Sequence, residues 1–403
     1  MAQPCVLLKH GEIAIKGRNR GTFERMLLGN LERAVAEVDP GAAVERRAGV
    51  SVLIGTVALD ELVRRASEVI GFNLVQPALR VSKDPEDAAS SAVRLLRERY
   101  PDAATRPRRF GVKPRRRDKN FRLTALELAA HIGQRVRDEL GWTVDLDQPE
   151  VEITAEIDWR EIFLSVDRLR GQGGLPVGAS GRALVLLSGG YDSPVAAYRM
   201  MRRGLRCDFV HFTGAPFTGP SSTYKAYALM RSLDRFQGGS RLHVIPIGKA
   251  QRTLATSGAG QLQIVAQRRL IVRVGDALAR RLGAQALVTG DSLGQVASQT
   301  LSNMATTEQA TELPLLRPLL AWDKDEIMAE ARRIGTYEVS ELPDEDCCSL
   351  ILPPSVATRT TDAQLSKVEE RAGFDDMVEQ VLSGVQLLDL GEQVRTGCAA
   401  PTG

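Results

Sequence analysis

A chain of 403 residues is long enough for roughly two to four domains, each with its own core. It is 43% hydrophobic and 26% charged, as globular proteins are, and contains no apolar run near the ~18 residues of a membrane span. The N-terminus lacks the pattern of a signal peptide, and five scattered cysteines do not suit a disulfide framework. These features exclude membrane and disulfide-rich secreted proteins, and they predict a cytoplasmic location.

The first part of the chain alternates short apolar strands with amphipathic helices, which predicts two small α+β domains at residues 1–75 and 76–168. In the first domain we expect strands at 2–8, 50–54 and 75–81 and helices at 22–38 and 59–70. In the second we expect helices at 84–100 and 124–140, a strand around Phe110 and Val112, and a hairpin of strands 151–157 and 162–167. The last helix should have one apolar side formed by Leu126, Leu128, Ile132 and Val136.

Residues 106–122 carry a concentrated positive charge. They contain nine basic residues and one acidic residue, Asp118, which gives +8 in a chain whose total is +3. Such asymmetry is typical of a surface that binds nucleic acid, because cations contact phosphates. A solvated basic loop is the alternative interpretation.

A glycine-rich segment, 171–178, marks the main domain boundary, and repeated strand–helix units follow it. Strands are predicted at 183–187, 207–212, 242–247 and 286–289. Strands that alternate with helices predict an α/β fold, in which a parallel sheet is covered by helices on both faces. We assign residues 169–403 to this domain and expect ligands at the carboxyl ends of its strands.

The turn after the first of these strands has the composition of a phosphate-binding loop, Ser188-Gly189-Gly190-Tyr191-Asp192-Ser193. Its glycines let backbone N–H groups close on a phosphate, and the two serine hydroxyls add donors. Asp192 is suited to hold Mg²⁺ or to orient the loop. The spacing excludes the P-loop of kinases and the dinucleotide-binding motif. A glycine-rich turn without a ligand is the alternative.

Cys347 and Cys348 are candidates for a reactive thiol, which has to be accessible and deprotonated. The acidic residues 344–346 oppose formation of a thiolate. Two buried structural cysteines are the alternative interpretation. The other three cysteines are too scattered to complete a four-ligand metal site, so we predict no such site.

Five motifs occur in order along the chain: GEIAIKGRNR, RRRDKNFRLTALEL, LLSGGYDSPVA, TGDSLGQVASQTLSN and DEDCC. In this order they resemble the bacterial tRNA 4-thiouridine synthases (tRNA uridine 4-sulfurtransferases) over almost the whole chain. The resemblance implies a ferredoxin-like domain, a THUMP RNA-binding domain and an ATP pyrophosphatase domain of the PP-loop type. It also implies an enzyme that adenylates the 4-oxygen of a tRNA uridine, at position 8, and exchanges that oxygen for persulfide sulfur.

The resemblance further implies which residues act. The implied catalytic residues are Asp192, Lys324, Cys347 and Cys348. The implied ATP contacts are Leu186, Leu187, Ser188, Gly189, Gly190, Ser193, His211, Phe212, Arg268, Gly290 and Gln299. The basic segment supplies the expected tRNA contacts, Arg108, Arg109, Lys113, Arg115, Arg116, Arg117 and Lys119. ATP and Mg²⁺ are the implied cofactors, and the implied partners are tRNA, a cysteine desulfurase that donates persulfide, and a second copy of the chain.

Structural alternatives stand beside these roles. His211 and Phe212 could simply end a strand, and Gly290 could be a strand-ending turn. Arg268 and Lys324 could be solvated charges on helices. The whole chain also has two alternative functions. The first is an amidating synthetase, which needs neither the cysteine pair nor the basic segment. The second is an RNA-binding protein with an inert nucleotide site, and the intact phosphate-binding loop argues against it.

Fifty-five residues follow Cys348, too few for the C-terminal rhodanese domain of longer relatives, which needs roughly 100 or more. We therefore expect the desulfurase to deliver sulfur directly. Relatives also supply sulfur for thiamine thiazole synthesis, and this role stays open here because it accompanies the rhodanese domain.

Overall fold

The structure is a computed structural model that describes residues 2–15, 17–47, 49–343 and 353–389. In it the chain divides into two compact units, Met1–Gly174 and Leu175–Gly403, and the division falls within the glycine-rich segment 171–178. Within the described ranges, no helix is both long and apolar enough to cross a membrane.

The N-terminal unit is built on one nine-stranded sheet. Its strands are β1 (Gln3–His10), β2 (Ala43–Arg47), β3 (Val50–Ile54), β4 (Phe72–Ser82), β5 (Arg109–Arg116), β6 (Thr143–Val144), β7 (Val151–Ile157), β8 (Glu161–Ser165) and β9 (Leu169–Arg170). Its helices are α1 (Arg20–Ala36), α2 (Leu59–Glu68), α3 (Pro85–Arg99) and α4 (Ala125–Leu140). The strand order is β2-β3-β1-β4-β8-β7-β5-β6, with β9 paired to β4.

The two predicted α+β domains share this sheet, because β4 runs through the predicted limit at residue 75. Helices α1 and α2 pack on one half of it, and α3 and α4 pack on the other half. The sheet also coils strongly: Arg47 on β2 contacts Glu161 on β8 at 2.9 Å, although three strands lie between them. The domain limits themselves stay a prediction.

The predicted strands and helices of this unit are all present, and α4 begins with the capping box of Thr124 and Glu127. One detail of the prediction is wrong. Leu126 is 77% exposed, whereas Leu128, Ile132 and Val136 are buried. Residues two apart on a helix point away from each other, so Leu126 cannot share the apolar side.

The C-terminal unit contains a six-stranded sheet. Its strands are β10 (Arg182–Leu186), β11 (Arg206–Thr213), β12 (Arg241–Pro246), β13 (Leu287–Val288), β14 (Leu315–Leu316) and β15 (Gln386–Asp389). Its helices are α5 (Asp192–Arg202), α6 (Ser221–Asp234), α7 (Gly248–Thr256), α8 (Gln263–Leu282), α9 (Leu301–Glu308), α10 (Lys324–Arg333), α11 (Tyr337–Ser340), α12 (Asp362–Ala372) and α13 (Phe374–Ser383).

The strand order β14-β13-β10-β11-β12-β15 confirms the predicted α/β fold, with parallel pairing throughout except for β15 at one edge. From β10 the chain first builds the sheet toward β12 and later returns to add β13 on the other side. In such sheets ligands bind where the order reverses, at the carboxyl ends of the strands. A ligand-binding site is therefore expected at the loops that follow β10 and β13.

Candidate active site

Residues 188–193, which we call the phosphate loop, close on themselves between β10 and α5. The Ser188 amide donates to Ser193 Oγ (2.9 Å), and the two serine hydroxyls lie 3.0 Å apart. The Gly190 amide lies 3.4 Å from Ser188 Oγ. Just before the loop, the Leu187 amide donates to the Val210 carbonyl on β11 (2.8 Å). The loop is thus shaped by its own serines and fixed to the sheet.

Gly290, at the end of β13, lies directly against the start of α5. A Cβ atom at this position would be 2.6 Å from the amide nitrogen of Ser193 and 2.7 Å from the carbonyl carbon of Asp192. Close-packed backbone atoms would have to shift to admit a side chain there. Only glycine therefore lets the end of β13 contact the phosphate loop.

Asp192, the first residue of α5, is the half-buried carboxylate of the loop. Burial raises the pKa of its carboxyl group, the negative charge of Asp291 adds to the rise, and the cation of Lys324 opposes it. Gln295 Nε2 also donates to Asp192 Oδ2 (3.3 Å). A half-buried carboxylate with an incompletely balanced charge suits Mg²⁺, which binds proteins through one or two carboxylates and completes its shell with substrate phosphates and water.

Next to the carboxylate of Asp192, the buried side chain of Asp291 contacts four other side chains. Thr289 Oγ1 donates to it at 2.9 Å, Gln299 Nε2 at 3.2 Å, and Arg268 forms a close ion pair with it. Arg317 Nε lies 3.4 Å away. Burial by itself would raise the pKa of Asp291, but the charge of Arg268 and these hydrogen bonds outweigh burial and hold the pKa below its usual value. Asp291 thus fixes Arg268 and Gln299, two of the expected ATP contacts.

The remaining expected nucleotide residues lie at the ends of β10 and β11. His211 Nδ1 donates to the Leu187 carbonyl (2.8 Å), which fixes the ring beside the start of the phosphate loop. Phe212 is 7% exposed and belongs to the apolar core, and Leu186 packs against the same core. Lys324 is exposed at the first position of α10.

Gly290 therefore lies against the loop, Asp291 holds Arg268 and Gln299 beside Asp192, and the charge of Lys324 acts on the same carboxylate. The sequence analysis named Gly290 as an expected ATP contact but gave Asp291 no role. An acidic residue that directly follows a strand-ending glycine, as Asp291 does, is the signal that could have indicated one.

Cys347 and Cys348 lie outside the described residues. The described cysteines Cys5 and Cys207 are buried free thiols, and burial raises the pKa of each to about 12. Neither forms a thiolate at neutral pH, so neither suits sulfur transfer. Within the described ranges no cluster of three or more His, Cys, Asp or Glu side chains could hold a metal ion.

Most of the positive charge of residues 106–122 is neutralised by acidic side chains that lie close in space. Five of the seven expected tRNA contacts have protein partners: Arg108 with Asp102, Arg109 with Asp145 and Glu150, Lys113 with Glu152, Arg117 with Glu156, and Arg116 with backbone carbonyls. Arg115 and Lys119 are exposed and have no ion-pair partner among the described residues. The sequence could not reveal this, because all of these acids except Asp102 lie more than 30 residues away along the chain.

The turn between β7 and β8 adds an exposed aromatic ring next to these cations. Trp159 is 56% exposed, and Arg160 beside it is also exposed. Lys83 Nζ joins this turn to the basic segment, since it bonds both the Trp159 carbonyl (2.8 Å) and Asp118. We call Arg115, Lys119, Trp159 and Arg160 the hairpin-end surface. The sequence analysis missed its Trp-Arg pair.

A glycine–serine loop at the switch point of a parallel sheet, with an aspartate and an arginine fixed beside it, defines the PP-loop class of ATP-using enzymes. Comparison with protein families gives three matches: "Thiamine biosynthesis protein (ThiI)" at residues 178–374, "THUMP domain" at 82–167 and "ThiI ferredoxin-like domain" at 5–75. A probable tRNA sulfurtransferase of Nocardia farcinica is 59% identical, over 99% of this chain and 98% of that protein. A probable tRNA sulfurtransferase of Thermus thermophilus is 39% identical, over 94% and 91%. The chain belongs to the tRNA sulfurtransferase family.

Solved structures agree with this assignment. A crystal structure of a 4-thiouridine synthetase in complex with RNA and bound ATP superposes with a TM-score of 0.88 at 30% identity, over 96% of this chain and 99% of that one. A structure from Pyrococcus horikoshii Ot3 superposes with a TM-score of 0.66 at 25% identity, over 83% and 100%. These matches confirm the resemblance predicted from the motifs.

Proposed function

We propose that this chain exchanges the 4-oxygen of uridine 8 in tRNA for sulfur in two steps. In the first, the uridine 4-oxygen attacks the α-phosphorus of ATP and pyrophosphate leaves, so that the base carries AMP. In the second, the terminal sulfur of a cysteine persulfide attacks carbon 4 and AMP leaves. The second cysteine thiolate breaks the S–S bond, and Cys347 and Cys348 then form a disulfide that an external thiol must reduce.

The phosphate loop is the observation that carries this proposal. Its glycine backbone can approach a phosphate closely, and Asp291 holds the Arg268 guanidinium beside it, where positive charge stabilises the transition state of phosphoryl transfer. Lys324, at the start of α10, adds a second cation near Asp192. Asp192 would hold Mg²⁺, which neutralises phosphate charge when bound.

The proposal includes partners and roles that rest on the resemblance. A cysteine desulfurase supplies the persulfide, and the enzyme works as a homodimer in the cytoplasm; a supply of sulfur for thiamine thiazole synthesis stays an open question. The three domains, at residues 1–75, 76–168 and 169–403, carry the ferredoxin-like, THUMP and pyrophosphatase parts.

The proposed reaction is tested by identifying its products. With ATP, Mg²⁺, tRNA and a cysteine desulfurase, we expect AMP and pyrophosphate rather than ADP, and 4-thiouridine at position 8 by mass spectrometry of the tRNA nucleosides. Omission of tRNA should stop pyrophosphate release, because the uridine oxygen is the nucleophile. Formation of ADP, or release of pyrophosphate without tRNA at the same rate, contradicts the first step.

We propose the hairpin-end surface as a tRNA contact. Exposed arginine and lysine side chains bind phosphates, and an exposed indole can stack on an unpaired base. Removing Arg115, Lys119 and Arg160 together, each to Ala, should weaken tRNA binding at least tenfold and lower the slope of log K against log salt by about 0.7 to 0.9 for each phosphate that is no longer neutralised. Trp159→Ala should weaken binding about tenfold with an unchanged slope.

Arg97→Ala is the matched control, since Arg97 is a half-exposed arginine of α3 in the same unit and pairs with Glu139 on α4. It should bind tRNA as the wild type does. A triple variant with wild-type affinity and salt dependence would rule out the hairpin-end surface as a tRNA contact.

A further inference from the structure

The phosphate loop contacts α11 and Glu341, the residue that follows α11, through three interactions. The ring of Tyr191 stacks on the ring of Tyr337, with centroids 5.3 Å apart and planes 27° from parallel. The Tyr191 hydroxyl donates a short hydrogen bond to the Glu341 carboxylate. Ser340 Oγ lies 3.4 Å from the Gly190 carbonyl and can donate to it. The loop therefore has a second support besides the sheet.

The α11 helix is itself held by other elements, so it does not depend on the loop for its position. Lys225 Nζ on α6 donates to the Leu342 carbonyl just after α11 (2.5 Å). Arg235 donates to the Ile334 carbonyl just before α11 (2.5 Å). The guanidinium of Arg332 on α10 lies 4.1 Å from the centre of the Tyr337 ring. The loop thus rests on a segment that is fixed at both ends.

The hydrogen bond between Tyr191 and Glu341 is of the stronger, charge-assisted kind, because its acceptor is a carboxylate. Bonding to Glu341 raises the pKa of Tyr191 to about 12, so the phenol keeps its proton over the whole neutral range. The phenol is therefore the donor of this hydrogen bond at neutral pH.

We propose that Tyr191 is a positioning residue that fixes the phosphate loop to α11 and so limits the distance between the nucleotide and the cysteines that follow α11 in the sequence. Cys347 is six residues beyond Glu341 in the sequence, and six extended residues reach at most about 20 Å. A loop that is released from α11 no longer keeps the adenylated uridine within this reach of the sulfur. The inference rests on the proposed function, since it assigns Tyr191 to the second step of that reaction.

The test measures the two steps separately with Tyr191→Phe, which keeps the stacked ring and removes only the donor. We expect the rate of 4-thiouridine formation from adenylated tRNA to fall about tenfold, as the loss of a charge-assisted hydrogen bond predicts. Pyrophosphate release should fall less than about threefold, so that adenylated tRNA is partly hydrolysed to AMP and unmodified uridine. Glu341→Gln removes the charge of the acceptor and should give the same pattern.

Two controls match these variants. Tyr224→Phe removes a phenol from an exposed position of α6, and Glu338→Gln neutralises an exposed carboxylate of α11 itself. Both should react as the wild type does. An equal fall in both steps for Tyr191→Phe, or no change in either, overturns the positioning role. Failure of the proposed function is distinguishable, because the wild type would then yield no 4-thiouridine or no pyrophosphate.

Discussion

Asp192→Ala is expected to stop both half-reactions, with pyrophosphate release and 4-thiouridine formation each falling at least ~100-fold. The substitution removes the carboxylate at the start of α5 that Gln295 and Lys324 surround and that suits Mg²⁺. Without it the charge on the departing pyrophosphate is poorly neutralised. Rapid-quench measurement of pyrophosphate and mass spectrometry of nucleosides check the two steps. Asp325→Asn, an exposed carboxylate in the first turn of α10, is the matched control and should keep full activity.

The cysteine pair provides the contrasting result. Serine cannot carry a persulfide, so at least one of Cys347→Ser and Cys348→Ser should abolish 4-thiouridine while pyrophosphate release continues. Cys5→Ala, at a buried thiol of the N-terminal unit, should affect neither step. Full thiolation by both serine variants would contradict the sulfur-carrier role. Persistent pyrophosphate release in Asp192→Ala would instead contradict the role of the loop.

The elements around the site could be predicted from sequence because their signals are local. An apolar strand, a glycine–serine turn and a helix with proline in its first turn fall within residues 183–202, and the order of the strand–helix units predicts which strand ends face each other. The approach of Gly290 to the loop follows from the same topology. The need for glycine there does not, since it depends on the 2.6 Å that would separate a Cβ atom at this position from the amide nitrogen of Ser193.

Side-chain and strand pairing between distant segments could not be predicted from the sequence. The positive charge of residues 106–122 predicts an RNA surface, but Glu150, Glu152 and Glu156 come from another part of the chain and neutralise much of it. Strand β15 has too few residues for a periodic signal, and it joins the sheet only because β12 offers an edge. The bond between Tyr191 and Glu341 spans 150 residues and has no local signature either.

Gly290→Ala is the sharpest test of the packing that shapes the site. Its new methyl group would overlap the amide of Ser193 and the carbonyl carbon of Asp192, so the start of α5 or the end of β13 must move. Overpacking of this kind costs roughly 1–3 kcal/mol of stability. A displacement of ~1 Å in the phosphate loop should lower tRNA-dependent pyrophosphate release about 100-fold, because reacting groups lose their alignment.

Measurements of thermal unfolding and of pyrophosphate release separate the loss of stability from the loss of activity. A Gly290→Ala protein that is folded but inactive would show that the substitution acts on the phosphate loop. Gly133→Ala is the matched control, because a Cβ at this helical position meets no atom within 4 Å. It should keep full activity and gain up to ~1 kcal/mol, the difference in helix propensity between the two residues. Release of pyrophosphate by Gly290→Ala at the wild-type rate would show that contact between β13 and the loop has no part in holding the nucleotide. The role of Asp291 and Arg268 beside the loop would then need another explanation.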